Sequence, residues 1–228
     1  GDFGLLNEAV PFLDKGTGTV LAHAQSAMRA LLEDRGAHGL SHIGEGDWLD
    51  PLNRVGTRGR GESVWLSMAA HLALVQMAEL MEFRGAASQG RVYRREAESF
   101  CDSIREHGWD GAWYLQAYDD DGRPVGSRRN RAGRIFLMPQ AWAVISGVAD
   151  PQRARQCMAS ADRHLATDFG YRLWNSGYRE YNPNLGGISI LQMQASPYSH
   201  GTVFKILADC ILGRGRDAHR TFMAITPD

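Results

Sequence analysis

The chain has 228 residues, enough for one domain with a sizeable core or for part of something larger. Its formal net charge is −1 and 43% of its residues are hydrophobic, a balance that argues against nucleic acid or an anionic membrane as the main partner. No stretch approaches the roughly 18 consecutive apolar residues of a membrane span, and no basic segment followed by an apolar one opens the chain, so neither a membrane segment nor a secretory leader is expected.

Residues 1–16 read as an irregular lead-in. From Thr19 to Arg35, apolar residues at Val20, Leu21, Ala24, Ala27, Met28, Leu31 and Leu32 follow helical spacing, and Gly36 is placed to end the helix as a left-handed cap. Gly36 to Gly61 then holds seven glycines and no periodic pattern. A structureless loop of roughly 25 residues is uncommon in a compact domain and is usually functional or disordered. Trp48, Leu49, Leu52 and Val55 give this one apolar anchors of its own, which favours function.

A second helix is predicted from Ser63 to Arg84, with Ser63 or Glu62 at its start and Gly85 past its end. Its apolar residues go nearly all the way round, so it must be buried on most sides. The next, from about Ser88 to His107, is amphipathic, burying Tyr93, Ala97, Phe100, Cys101 and Ile104. The pairing repeats. Met138–Ser146 is short and apolar with Pro139 in its first turn, and Pro151–Ala166, capped by Asp150, is amphipathic. Ser199–Leu212, with Val203, Phe204, Ile206, Leu207, Cys210 and Ile211, precedes Gly215–Ala224. Alternating inner and outer helices predict an all-α fold, part of an α/α toroid. The only strand-like piece is Trp113–Val125, where Asp119-Asp120-Asp121-Gly122 supplies the turn of a small hairpin. Nothing marks a domain boundary.

Cys101, Cys157 and Cys210 are odd in number and scattered. They are expected to be buried free thiols in a reducing cytoplasm, not a disulfide framework or a zinc site. No metal or cofactor is expected.

Two further loops precede predicted inner helices and should meet the Gly36–Gly61 loop at one rim. One is Asp168–Pro197, rich in Tyr, Trp and amides including Gln192 and Gln194. The other is Ser127–Met138, with Arg128, Arg129, Arg131 and Arg134. Inverting glycoside cleavage needs a carboxylic acid on the departing oxygen and a nucleophile on the opposite face of the sugar. Asp50, beside Leu49, Pro51 and Leu52, is the candidate acid in a desolvating setting. Trp48 offers a flat apolar face and an indole N–H, and Asp47 can bond sugar hydroxyls or hold the loop. His200 at a helix start suits anion binding. Each has a plainer reading as well: turn chemistry for the aspartates, a loop anchor for Trp48, a cap or core residue for His200, and a solvated loop for the arginines.

Along nearly its whole length the chain resembles the inverting glycoside phosphorylases related to the cellobiose, chitobiose and cellobionate enzymes, a family that includes the C-terminal part of cyclic β-1,2-glucan synthases. The likeness is carried by Glu8-Ala9-Val10-Pro11-Phe12-Leu13-Asp14, His38-Gly39-Leu40, Gly46-Asp47-Trp48-Leu49-Asp50-Pro51-Leu52-Asn53 and Gly59-Arg60-Gly61-Glu62-Ser63-Val64-Trp65-Leu66. It continues through Trp109-Asp110-Gly111-Ala112-Trp113-Tyr114, Gly133 to Ala143, and Tyr198-Ser199-His200-Gly201 leading to Gly215.

The resemblance implies an (α/α)6 toroid and phosphorolysis of a β-linked disaccharide or glucan to α-glucose 1-phosphate, with Asp50 as general acid, Trp48 on the donor sugar and His200 on phosphate. Asp47 and Arg54 in the same loop, with Gln140 and Tyr198 in matching motifs, complete the expected substrate-binding set. Phosphate is substrate and nucleophile, so no second catalytic carboxylate is required. An inverting hydrolase on the same barrel would need one, for which Glu180 and Asp168 are the loop candidates. A third possibility is a catalytically silent sugar-binding or scaffold fragment.

Two departures stand out. A family Glu-Asn-Gly or Glu-Asn-Ala shortly before the Tyr-Ser-His segment is replaced by Gln192-Met193-Gln194-Ala195-Ser196, which removes an acceptor contact. Family members are also several times longer, so residues 1–228 are expected to be one truncated segment of the barrel. Its inner helices would then bare an apolar face, covered by self-association or by another chain.

Overall fold

The structure, a computed structural model, describes residues 3–189 and 196–226. The Gln192–Ala195 replacement therefore lies outside the described residues. Most of the regular structure is helical, with small sheets between the helices. The lead-in is more ordered than its sequence suggests: a 3-10 turn at Phe3–Asn7, then β1 (Ala9–Pro11) paired antiparallel with β2 (Thr17–Thr19). Helix α1 (Val20–Glu33) follows, with the Thr19 hydroxyl accepting the Ala22 N–H.

Gly36 does not cap α1 in the left-handed region. The helix closes at Asp34, and a Cβ on Gly36 would sit 2.5 Å from the Glu62 carboxyl carbon. The glycine is there to let a buried carboxylate lie against the backbone. Glu62 in turn binds the N–H of His38 at 3.0 Å and its imidazole at 2.5 Å.

After the loop come β3 (Ser41–His42), β4 (Glu62–Ser63) and α2 (Val64–Phe83). Ser63 caps α2 by accepting the Leu66 N–H. By length and composition α2 is the one helix among the described residues able to cross a membrane, but half of that stretch is buried inside the protein. It packs against α3 (Ala87–His107), which turns Arg94, Arg95, Glu98, Asp102 and Arg105 to water.

The hairpin lies where its turn chemistry put it, as β5 (Ala117–Tyr118) and β6 (Pro124–Val125). It is not isolated, because β5 also pairs with β4 and completes a four-stranded order β3-β4-β5-β6. Asp120 at its turn accepts the backbone N–H groups of Arg58, Arg60 and Gly61, pinning the far end of the glycine-rich loop.

Strand β7 (Ile135–Phe136) leads into α4 (Leu137–Ile145), and α5 (Pro151–Leu165) is capped by Asp150 through the Gln152 and Arg153 N–H groups. A tight turn joins β8 (Ala166–Thr167) to β9 (Gly170–Tyr171); β10 (Trp174–Asn175) pairs back onto β7. Finally α6 (Ser199–Ile211) and α7 (Gly215–Ile225) close the described chain. The expectation of a single hairpin thus undercounts the strands. Two-residue bridges carry too little alternation to be read from a sequence.

Helices α2, α4 and α6 stand side by side, and α3, α5 and α7 each follow and pack on one of them. The α6 face departs from expectation. Val203, Leu207, Cys210 and Ile211 are exposed, whereas Thr202, Lys205, Ala208 and Asp209 are buried. Buried charge is tolerated because it is paired: Lys205 Nζ donates to Asp209 at 2.5 Å and to Asp162 at 3.1 Å, and Arg214 reaches both aspartates. Cys101 and Cys157 are buried as expected and Cys210 is not; burial pushes the Cys157 thiol up to about 12.

Candidate active site

The loop leaves β3 and returns to β4, so both its ends are fixed beside the N-terminus of α2. Leu49, Leu52 and Val55 turn inward, with Trp65, Phe136, Leu173, Trp174 and Ile188, and anchor it. Between these anchors Trp48 stays half-buried and Asp50 exposed. The desolvation expected at Asp50 is therefore not supplied by its neighbours: Leu52 faces the core, and Leu49 and Pro51, which share its cavity, leave Asp50 exposed.

A cavity of about 390 Å³ is lined by Trp48, Leu49, Asp50, Pro51, Leu173, Trp174, Tyr198 and His200. Its far wall is β10 and the start of α6. Strand β10 is held by β7 and by the Leu137 N–H, which donates to the Leu173 carbonyl at 2.7 Å. The start of α6 is held by the Tyr198 N–H on the Tyr171 carbonyl. Gly201 has no room for a side chain, because a Cβ would meet Leu173 Cδ2 at 2.7 Å; its absence lets the helix start close against β10.

The Trp48 ring lies edge-on to His200, centroids 4.7 Å apart, and near Tyr198 at 6.0 Å. Below it are Trp65 of α2 at 6.5 Å and Phe204 of α6 at 6.4 Å. His200 lies in the first turn of α6, where unbonded backbone N–H groups and the helix dipole favour an anion.

Four of the seven candidate site residues thus share one cavity: Asp50, Trp48, Tyr198 and His200. Three do not line it. Gln140 is fully buried, with its carbonyl accepting the Tyr114 N–H at 2.8 Å and its amide donating to the Tyr114 and Phe136 carbonyls. Both its N–H donors are committed and none of it is exposed, so its place in α4 makes it a backbone tie. Arg54 lines a separate small cavity with Thr57, Arg58, Asp119, Asp120, Pro183 and Asn184.

Asp47 turns away from the cavity. It accepts from the Ser63 hydroxyl at 2.6 Å, the Gln116 amide at 2.9 Å and the Leu49 N–H at 2.9 Å. Burial raises its pKa above the usual aspartate value, against the pull of those three donors.

Glu180 and Asp168, the candidate hydrolytic bases, are exposed and do not line the cavity. Arg128 and its neighbours form an exposed loop tied to Asp110. The aromatic Asp168–Pro197 loop meets the glycine-rich loop as expected, with Leu173 and Trp174 in the cavity wall, although neither was among the candidate site residues. Sequence reasoning missed Gln116, which carried no signal. Among the described residues no three His, Cys, Asp or Glu side chains are grouped to hold a metal ion.

The model of the glycosyl hydrolase 94 superfamily catalytic domain matches residues 1–228, and the chain belongs to that family. It is 42% identical over 233 residues to the solabiose phosphorylase of Paenibacillus borealis, covering 100% of this chain and 30% of that protein. It is 37% identical to the 3-O-β-D-glucopyranosyl-β-D-glucuronide phosphorylase of the same organism, with the same coverage. A GH78 family rhamnosidase of Bacillus sp. GL1 superposes with a TM-score of 0.61 over 90% of this chain and 19% of its own, at 16% identity, a likeness of fold alone. The chain spans about 30% of the length of the curated relatives it matches.

Proposed function

We propose that residues 1–228 are one segment of the catalytic barrel, an (α/α)6 toroid, of an inverting glycoside phosphorylase. It would act on a β-linked glucoside and inorganic phosphate. The Asp50 carboxylic acid gives its proton to the glycosidic oxygen as the bond from that oxygen to the anomeric carbon breaks. A phosphate oxygen bonds to the same carbon from the opposite face, and the products are α-glucose 1-phosphate and the released sugar. Trp48 packs on the donor sugar, Tyr198 borders it, and His200 with the α6 N-terminus holds phosphate.

The observation that carries this reading is the single cavity shared by Asp50, Trp48 and His200, which come from segments 150 residues apart in the chain. A sugar seated there would displace water from the Asp50 carboxylate, supplying the dry setting that the residues around it leave open. Among the described residues that line the cavity Asp50 is the one carboxylate, which suits a reaction whose nucleophile is phosphate. A cytoplasmic setting, read from the scattered cysteines, belongs to the same proposal. So does a further copy of the chain against the exposed face of α6.

The test is phosphate-dependent release of a sugar 1-phosphate by the natural polypeptide that carries these residues, across β-linked glucose disaccharides. Asp50→Asn should lower kcat by about 10²–10⁴-fold. Sugar release that is equally fast without phosphate would reject phosphorolysis, and an unaffected Asp50→Asn would reject the acid.

A further inference from the structure

We infer that Asp47 is a positioning residue that sets where the general acid stands, not a sugar ligand. This rests on the reading of Asp50 proposed above. All three donors on the Asp47 carboxylate belong to the protein. Leu49 N–H is in the very turn that carries Trp48 and Asp50, while Ser63 and Gln116 belong to the frame beneath it.

That frame is the start of α2. Ser63 Oγ donates to Asp47 and accepts the Leu66 N–H at 3.0 Å, and the Gln116 carbonyl accepts the Val64 N–H at 3.0 Å. The two side chains that hold Asp47 therefore come from the two residues that satisfy the first N–H groups of α2. The acid's turn is bolted to a helix end, and Asp50 stands three residues from the bolt.

A second observation fixes what the bolt needs. Gln116 Oε1 is buried with no hydrogen-bond partner among the described residues, because its amide end is the one turned to Asp47. Replacing Asp47 by Asn presents an N–H₂ where a carboxylate oxygen was. Turning the Gln116 amide over then gives one of those N–H groups its acceptor at Oε1, while the other can donate to Ser63 Oγ, whose own hydrogen loses the oxygen it bonded. The isosteric amide can rebuild the Gln116 side of the bolt, provided Gln116 is there.

The experiment uses the natural polypeptide with inorganic phosphate and the β-linked disaccharide that it cleaves fastest. Asp47→Ala should lower kcat by about 10²-fold, the usual consequence of misplacing a catalytic group by an ångström, and leave the KM for phosphate unchanged. Asp47→Asn should recover most of that kcat. Adding Gln116→Leu to Asp47→Asn should remove the recovery, and this pair carries the test if Asp47→Ala does not fold.

A rise in the sugar KM alone in Asp47→Asn would overturn the inference in favour of direct sugar contact. Asp47→Asn as slow as Asp47→Ala, or equally active with and without Gln116, would overturn it as well. A wild-type protein silent with every disaccharide would overturn the functional reading and this inference with it. An active wild type with a fully active Asp47→Ala would overturn this inference alone.

Discussion

Asp47 and Asp50 are three residues apart and differ completely in surroundings. Asp47 is enclosed by three donors and its pKa is raised by burial, whereas Asp50 is exposed at the cavity edge. The spacing Asp47-Trp48-Leu49-Asp50 does not tell which carboxylate is enclosed and which borders the cavity. Ser63 and Gln116, 16 and 69 residues from Asp47, enclose it together with the local Leu49 N–H, and the two distant donors leave no local pattern. Gln140 teaches the same lesson in reverse. It sits within a matching motif, yet its amide ties α4 to the backbone of Tyr114 and Phe136. Gln140→Leu should therefore cost stability, roughly 1–3 kcal/mol for each buried backbone group left unpaired, and leave the substrate KM unchanged. Urea unfolding beside steady-state kinetics checks this; a raised KM at wild-type stability would return Gln140 to the site.

Among the elements, the helices were legible from their apolar spacing, and α2 and α5 also from their starting caps, Ser63 and Asp150 with Pro151. The orientation of α6 was not. Its apolar residues predict a buried stripe, but the buried face holds Lys205 and Asp209, whose partners Asp162 and Arg214 come from α5 and the α6–α7 turn. Only the tertiary pairing shows that such a face can be interior. Lys205→Met removes one partner from a buried cluster and should cost about 3–5 kcal/mol, read as a lowered denaturant midpoint.

The cluster also has a pH signature. Burial alone would raise the pKa of Asp162. Hydrogen bonds from Tyr171 and Arg214, with the Lys205 charge, outweigh that and hold it below its ordinary value near 3.8. A depressed carboxylate contributes stability that is present above its unfolded value and lost as pH falls through its folded one. Asp162→Asn should therefore flatten the loss of stability below about pH 3.8, measured by unfolding between pH 2 and 5; an unchanged acid limb would contradict it.

On the scale of the whole molecule, Val203, Leu207 and Ile211 form an exposed stripe on one side of α6, with Phe222 and Met223 exposed on α7. Contiguous apolar surface of this kind marks an association face in soluble proteins. Light scattering should show the 228-residue chain self-associating, and Leu207→Glu with Ile211→Glu should return it to a monomer. A wild-type monomer would contradict this.

His200 lies in the first turn of the same helix, α6. The anomeric configuration of the product reports the chemistry at the cavity. Phosphorus and proton NMR of the reaction with a β-linked glucoside and inorganic phosphate should show α-glucose 1-phosphate from the first turnovers. A β-configured sugar phosphate, or free glucose with no sugar phosphate, would contradict the account.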